Sequence, residues 1–221
     1  SNTALGAKAL STLTTEDANV AIGYQAMYQS GGSANIAIGD NAMSQGPTGG
    51  ANYAIGRYAM MDANAGSTSL SSNSNIAIGQ ATMGGTWEDA ASNYNIAIGH
   101  LSMDAAMEGA LANTALGHTA LGALTTGDYN ISVGAYSLDA LTTGISNVAI
   151  GVNAASTIST AGECIAIGTE AGYSMSAGQV TTNGTVAIGH SALTALTSGA
   201  SNTAVGYQSA KHISTGAYNT F

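Results

Sequence analysis

Apolar and polar positions follow one short phrase along this chain: Asn, a β-branched residue or Tyr, Ala, a branched aliphatic, then Gly. The glycines of the phrase are Gly6, Gly23, Gly39, Gly56, Gly79, Gly99, Gly117, Gly134, Gly151, Gly168, Gly189 and Gly206. The residue before Gly is always Leu, Ile or Val, as in Leu5, Ile22, Ile98 and Val205, and the residue three before it is Thr, Val, Ile or Tyr. These two positions are two apart, so in a strand they share one face, and their residue types suit a pleated surface. The position between them is Ala in every copy but one, where it is Ser132, so the opposite face admits only a small side chain. We expect the β-branched face to line each coil and the Ala face to pack against a neighbouring chain or the opposite wall. The repeated Gly predicts a backbone conformation, or a close approach, that a Cβ would forbid.

A second short segment follows the Gly. It carries Ala three residues on (Ala26, Ala42, Ala59, Ala120) and usually Leu or Met four on (Met27, Met43, Met60, Leu121, Leu138, Leu193). Several copies add another aliphatic three residues later, such as Leu124, Leu141, Ile158 and Leu196. Polar corners such as Thr125-Thr126-Gly127 return the chain to the next Asn. Seven of the eleven Gly-to-Gly spacings are 16 or 17 residues, which is too short for a helix pair, since helical repeats run to about 33 or more. A Gly and a β-branched cluster in every copy also argue against helices. The prediction is an all-β parallel β-solenoid or β-roll, with about twelve coils of 16–23 residues and two short strands and two turns per coil. The repeat fills residues 1–221 as a single array, and Asn219-Thr220-Phe221 opens a thirteenth copy, so a longer fibre is expected around it. Each coil encloses a slender core, which predicts that several chains pack together.

Asn stands four before Gly in ten of twelve copies, with Cys164 and Thr185 as the exceptions. Stacked coils would superimpose these amides. Two readings stay open: a ladder of amide bonds from coil to coil, or a local turn bond to the backbone.

Composition changes the picture in one respect. Only 7% of residues are charged, against about 25% in a typical soluble domain, so the surface is built of Ser, Thr, Asn, Gly and Ala. Lys8, Arg57 and Lys211 are the only bases, which excludes a nucleic-acid footprint and electrostatic attraction to anionic membranes. No apolar run approaches the roughly 20 residues that would insert this segment into a bilayer.

The stretches Asn19-Val20-Ala21-Ile22-Gly23-Tyr24-Gln25-Ala26-Met27 and Asn202-Thr203-Ala204-Val205-Gly206-Tyr207-Gln208-Ser209-Ala210 resemble the Asn-Thr-Ala-Ile-Gly-Tyr-Gln-Ala-Leu repeats of bacteriophage tail-fibre-like proteins. The pattern is also similar to the Asn-Ser-Val-Ala-Ile-Gly repeats of trimeric autotransporter adhesin heads, whose repeat is typically shorter. The resemblance covers essentially the whole chain. It implies a left-handed β-roll, a homotrimer, and a virion, extracellular or cell-surface setting. A structural tail-fibre shaft or head supporting host attachment is the first expectation, and a bacterial adhesin head the second. The partners implied are further copies of the chain and a cell-surface receptor or glycan.

The candidate chemistry is sparse. His100, His118 and His190 all follow a repeat Gly, and on a trimer they could ring a metal ion, but Tyr24, Asp40, Arg57 and Gln80 share that column, which reads as exposed and variable. The carboxylates are scattered, and adjacent Glu88 and Asp89 would face opposite ways in a strand, so no facing acid pair is expected. Cys164 reads as a packed thiol. No catalytic residue, metal site or cofactor is expected, and the chain is read as not an enzyme. The longer copies place extra residues near Asp62–Asn73, Gly84–Asn93 and Ala177–Asn183, where solenoids often carry binding loops. Trp87 and Tyr94 are the candidate surface contacts there, for stacking on a sugar ring, although Trp87 is better explained as a buried cap on its own coil. A regular Thr array for ice binding is broken, since only Thr3, Thr114 and Thr203 occupy a column that Val, Ile and Tyr dominate.

Overall fold

The computed structural model describes residues 1–13, 15–63, 71–87, 90–175 and 182–221. They divide into two compact units, Ser1–Ala112 and Asn113–Phe221. Each unit is a parallel β-solenoid, and no helix occurs among the described residues. The first unit holds β1 (Thr3–Leu5), β2 (Val20–Ile22), β3 (Ile36–Ile38), β4 (Tyr53–Ile55), β5 (Ile76–Ile78) and β6 (Ile96–Ile98). The second holds β7 (Thr114–Leu116), β8 (Ile131–Val133), β9 (Val148–Ile150), β10 (Ile165–Ile167), β11 (Val186–Ile188) and β12 (Thr203–Val205). Within each unit consecutive strands pair in parallel, and like positions of the phrase lie side by side: Ala21 beside Ala37, Ala37 beside Ala54, Val133 beside Ile150.

The structure corrects the expected inside and outside. The central Ala of the strands β2 to β7 and β9 to β12, and Ser132 in β8, are buried, whereas the two flanking residues are half-buried or exposed in every strand. The β-branched face therefore points outward, and Ala faces the interior. Volume decides this: Met27, Met43, Met60, Met83, Met103, Leu121, Leu138 and Leu193 already fill the narrow interior, and all are fully buried. Only a methyl group fits opposite them, because interiors pack at crystal-like density.

A second correction concerns the segment after Gly. It is not a strand but a pair of successive turns. Ala26 N–H donates to the Gly23 carbonyl at 3.4 Å, and Tyr28 N–H to the Gln25 carbonyl at 3.2 Å. The third residues of these turns, Gln25 and Met27, take left-handed φ values of 52°, as a type II turn demands of that position. A non-glycine residue pays roughly 1–2 kcal/mol for this. Gly is excluded at Met27 because its side chain must fill the core. Bonds between coils offset the cost: Gln25 N–H reaches the Ala7 carbonyl of the coil before (3.0 Å), and Met27 N–H the Ala42 carbonyl of the coil after (2.9 Å). Tyr136 and Leu138 repeat the arrangement with His118 and Ala154.

The phrase glycine satisfies both of its expected roles. Gly134 has φ 133°, and a Cβ there would lie 2.5 Å from the Gly151 carbonyl oxygen of the next coil.

The repeated Asn forms a ladder anchored on backbone, and at Asn35 and Asn202 the local turn bond is made as well, to the Gly31 carbonyl (3.2 Å) and the Gly199 carbonyl (3.0 Å). The Asn19 Oδ1 accepts the N–H of Asn35 at 2.9 Å, Asn35 Oδ1 that of Asn52 at 2.8 Å, and Asn52 Oδ1 that of Asn75 at 3.0 Å. Each amide NH2 donates to the carbonyl of the following corner, as from Asn35 to Gly49 (3.1 Å) and from Asn52 to Ser72 (2.8 Å). In the second unit Asn130 and Asn147 add direct amide-to-amide bonds of 3.0 Å to the Asn of the coil before. These amides are buried, so each bond joins groups that water cannot reach. Replacing Asn130 by Ala strips the acceptor from Asn147 N–H (3.0 Å) and the donor from the Gly144 carbonyl (2.8 Å). The expected loss is about 3 kcal/mol of unfolding free energy, measured by urea denaturation.

Candidate interaction surfaces

Two strips of surface carry the features that could meet a partner. The first is the outward sheet face. In the first unit it runs through Val20, Ile22, Ile36, Ile38, Tyr53, Ile55, Ile76, Ile78, Ile96 and Ile98; in the second through Ile131, Val133, Val148, Ile150, Ile165, Ile167, Val186 and Ile188. None of these side chains is buried, and Ile131 and Ile150 are 43% and 39% exposed. Neither column holds a charged residue in either unit. Contiguous exposed apolar surface of this kind marks an interaction face on a soluble protein, whereas single exposed aliphatics do not. The sequence carries the signal for it, two large apolar or Thr positions per phrase in constant register, and that same pattern suits an interior face equally well.

The second strip is formed by the two residues after each phrase Gly, on the first turn; they are half-buried or exposed except Ser191, which is buried. In the first unit Arg57 and Asp40 approach to 3.5 Å, Asn41 Nδ2 donates to Asp40 Oδ1 (2.6 Å), and Arg57 Nη2 donates to the Tyr58 hydroxyl (2.6 Å). The guanidinium carbon lies 4.4 Å from the Tyr58 ring centroid. Both charges are about half exposed, so the pair adds little stability on its own. In the second unit His118 meets Tyr136 edge-on, with 3.1 Å between Nε2 and the hydroxyl, and His190 stacks on Tyr207 at 5.4 Å between centroids. Within the second unit His118 and His190 are paired with different tyrosines. No cluster of three or more His, Cys, Asp or Glu that could hold a metal ion occurs among the described residues.

The structure parts the two aromatic candidates. Trp87 is 2% exposed and Tyr94 62%. Trp87 is withdrawn into its coil, with its backbone N–H on the Asp62 carbonyl (3.3 Å) and its indole N–H without a partner, so only Tyr94 presents a ring to solvent. Of the expected loops, residues 64–70, 88–89 and 176–181 lie outside the described residues, and with them the Glu88–Asp89 pair. Cys164 is buried, and burial pushes its thiol pKa up, which opposes a nucleophilic thiolate.

No protein-family model matches this chain, no curated protein matches it, and no solved structure matches it.

Asp104 is a half-buried carboxyl in the first unit. Partial burial raises its pKa, against the lowering effects of a hydrogen bond from the Gly84 backbone and the nearby His100. A carboxyl whose pKa is raised by folding stabilises the fold fully at pH below its unfolded value and loses that contribution as pH rises through the folded value. Asp104→Asn should therefore raise the melting temperature at pH 7, with the gain vanishing near pH 3; thermal scans at the two pH values check this.

Proposed function

We propose that this chain is a structural segment of an extracellular fibre, of the type carried by bacteriophage tails, in which copies of the chain associate through their outward aliphatic faces. The observation that carries the reading is the face itself: two columns of Val, Ile, Leu and Tyr with three Thr, uncharged and uncovered, in constant register from strand to strand. A face of this kind costs about 25 cal/mol for every Å² of apolar surface left in water, which favours its burial. A like face on another copy is a fitting cover, being equally uncharged and repeating at the same spacing of about 4.8 Å between strands. The similarity of the phrase to the repeats of trimeric autotransporter adhesin heads suggests three chains.

The task assigned to such an assembly is mechanical. Stacked coils joined by buried amide ladders give a stiff support for host-surface attachment, with the variable residues after each Gly presented outward towards a receptor. No catalysis is assigned to the chain. The two polar Thr in the outward columns of the second unit, Thr114 and Thr203, are separated by the aliphatic strands β8 to β11, which disfavours an ice-binding array.

Light scattering on the chain should give the mass of three copies. Ile150→Lys with Ile167→Lys places charges on the outward face without touching the core. The double variant should keep its β-type circular dichroism and run as a single copy. A wild-type chain that is monomeric at micromolar concentration contradicts the reading.

A further inference from the structure

The inward position four after Gly is filled in two ways. In the first unit it holds Met27, Met43 and Met60 in successive coils, all fully buried. The position three residues further on is then small: Ser30, Gly46 and Ala63, also buried. In the second unit the same two places hold Leu121 with Leu124 and Leu138 with Leu141, again fully buried. The longer thioether therefore fills room that a second leucine fills elsewhere. A Cβ on Gly46 would lie 2.9 Å from the Met43 Cβ and 2.7 Å from the Ser30 Oγ, so no second large side chain fits beside Met43.

The surroundings of this Met row are apolar or already committed. Ala21, Ala37 and Ala54 line the strand side of the interior, and the Ser30 hydroxyl donates to the Pro47 carbonyl at 3.4 Å. The backbone N–H of Met27 donates to the Ala42 carbonyl (2.9 Å), and that of Met43 to the Ala59 carbonyl (2.9 Å), so each Met is also tied to the next coil. Met61, beside the row in sequence, is only half-buried. No Met stands between Met107 and Met175, so the coils of Leu121 and Leu138 contain no thioether.

We propose that the coils from Met27 to Met60 form a redox-sensitive element, which opens when oxidants of the peroxide class convert its buried Met row to sulfoxides. A passing opening of one coil admits the oxidant. One peroxide oxygen bonds to sulfur as the O–O bond breaks; sulfur gives up two electrons, and the other oxygen leaves as water. The product carries a strong S–O dipole. Reclosing would bury that dipole among alanines and groups whose hydrogen bonds are already made, a state that a packed interior disfavours. The oxidised coil therefore stays open. Stability in stacked repeats includes the contacts of each coil with the next, so the neighbouring Met becomes accessible in turn. Leucine has no such chemistry, and the coils of Leu121 and Leu138 are inert to the same reagent.

The full chain is treated with hydrogen peroxide, and samples taken over time are analysed by peptide mass mapping and by amide hydrogen exchange. Met61 should convert first, without loss of protection. Met27, Met43 and Met60 should follow. Peptides within 19–52 should then exchange faster by roughly tenfold or more, while peptides within 128–150 keep their protection. A chain carrying Met27→Leu, Met43→Leu and Met60→Leu should keep the protection of 19–52 in peroxide. If that variant fails to fold, the wild-type time course decides alone. Oxidation of the Met row with 19–52 still protected overturns the proposal. So does a row that stays unoxidised after Met61 has fully converted, loss of protection at 128–150 as early as at 19–52, or a folded triple-Leu chain that loses protection in peroxide as the wild type does.

Discussion

The asparagine four residues before each phrase glycine does two things at once. Its Oδ1 takes the backbone N–H of the next Asn, and its NH2 closes the carbonyl of the corner that leads there. A coil this narrow has room for few large side chains, so hydrophobic burial alone gives each coil little. The sheet contributes only three residues per coil. The corners would then leave backbone groups buried without partners, a cost that folded chains rarely carry. The amide removes that cost at every corner where it stands, and it does so only if the next coil arrives in register. Register and stability are therefore set by the same side chain.

The other constraints follow from stacking identical turns at strand distance. Successive glycines approach so closely that no Cβ fits between Gly134 and the Gly151 carbonyl. The turns beyond them hold Met27, Met43, Leu121 and Leu138 in left-handed conformations because those side chains must reach inward. With the interior so filled, the strand has room only for Ala on its inner side. Its larger residues are turned out into water, and the uncovered aliphatic face that supports the fibre reading is a consequence of the coil's small bore.

Much of this was legible in the sequence. The period, the glycines, the all-β parallel solenoid and the importance of the Asn could be read from register alone, because stacking demands the same residue at the same place in each coil. The direction of the strand could not. Val20-Ala21-Ile22 alternates large and small apolar residues, and both faces look suited to a core until the volume already occupied by Met27 is counted. The turns after Gly were also hidden, since Ala, Leu and Met carry no turn signal and nothing local marks Gln25 or Met27 as left-handed. Of the two candidate surface contacts, Trp87 is buried, as the general gain from burying an aromatic ring favours, and only Tyr94 keeps its ring in solvent.

The central claim is that the Asn side chains form a buried ladder between coils. Exchange of their side-chain NH2 protons with deuterated water, followed by nuclear magnetic resonance, tests it most directly. The account predicts that the amides of Asn35, Asn52, Asn75, Asn130 and Asn147 are protected on the timescale of the strand backbone amides, while that of the exposed Asn183 exchanges freely. Free exchange of the ladder amides at the rate of Asn183 would contradict it.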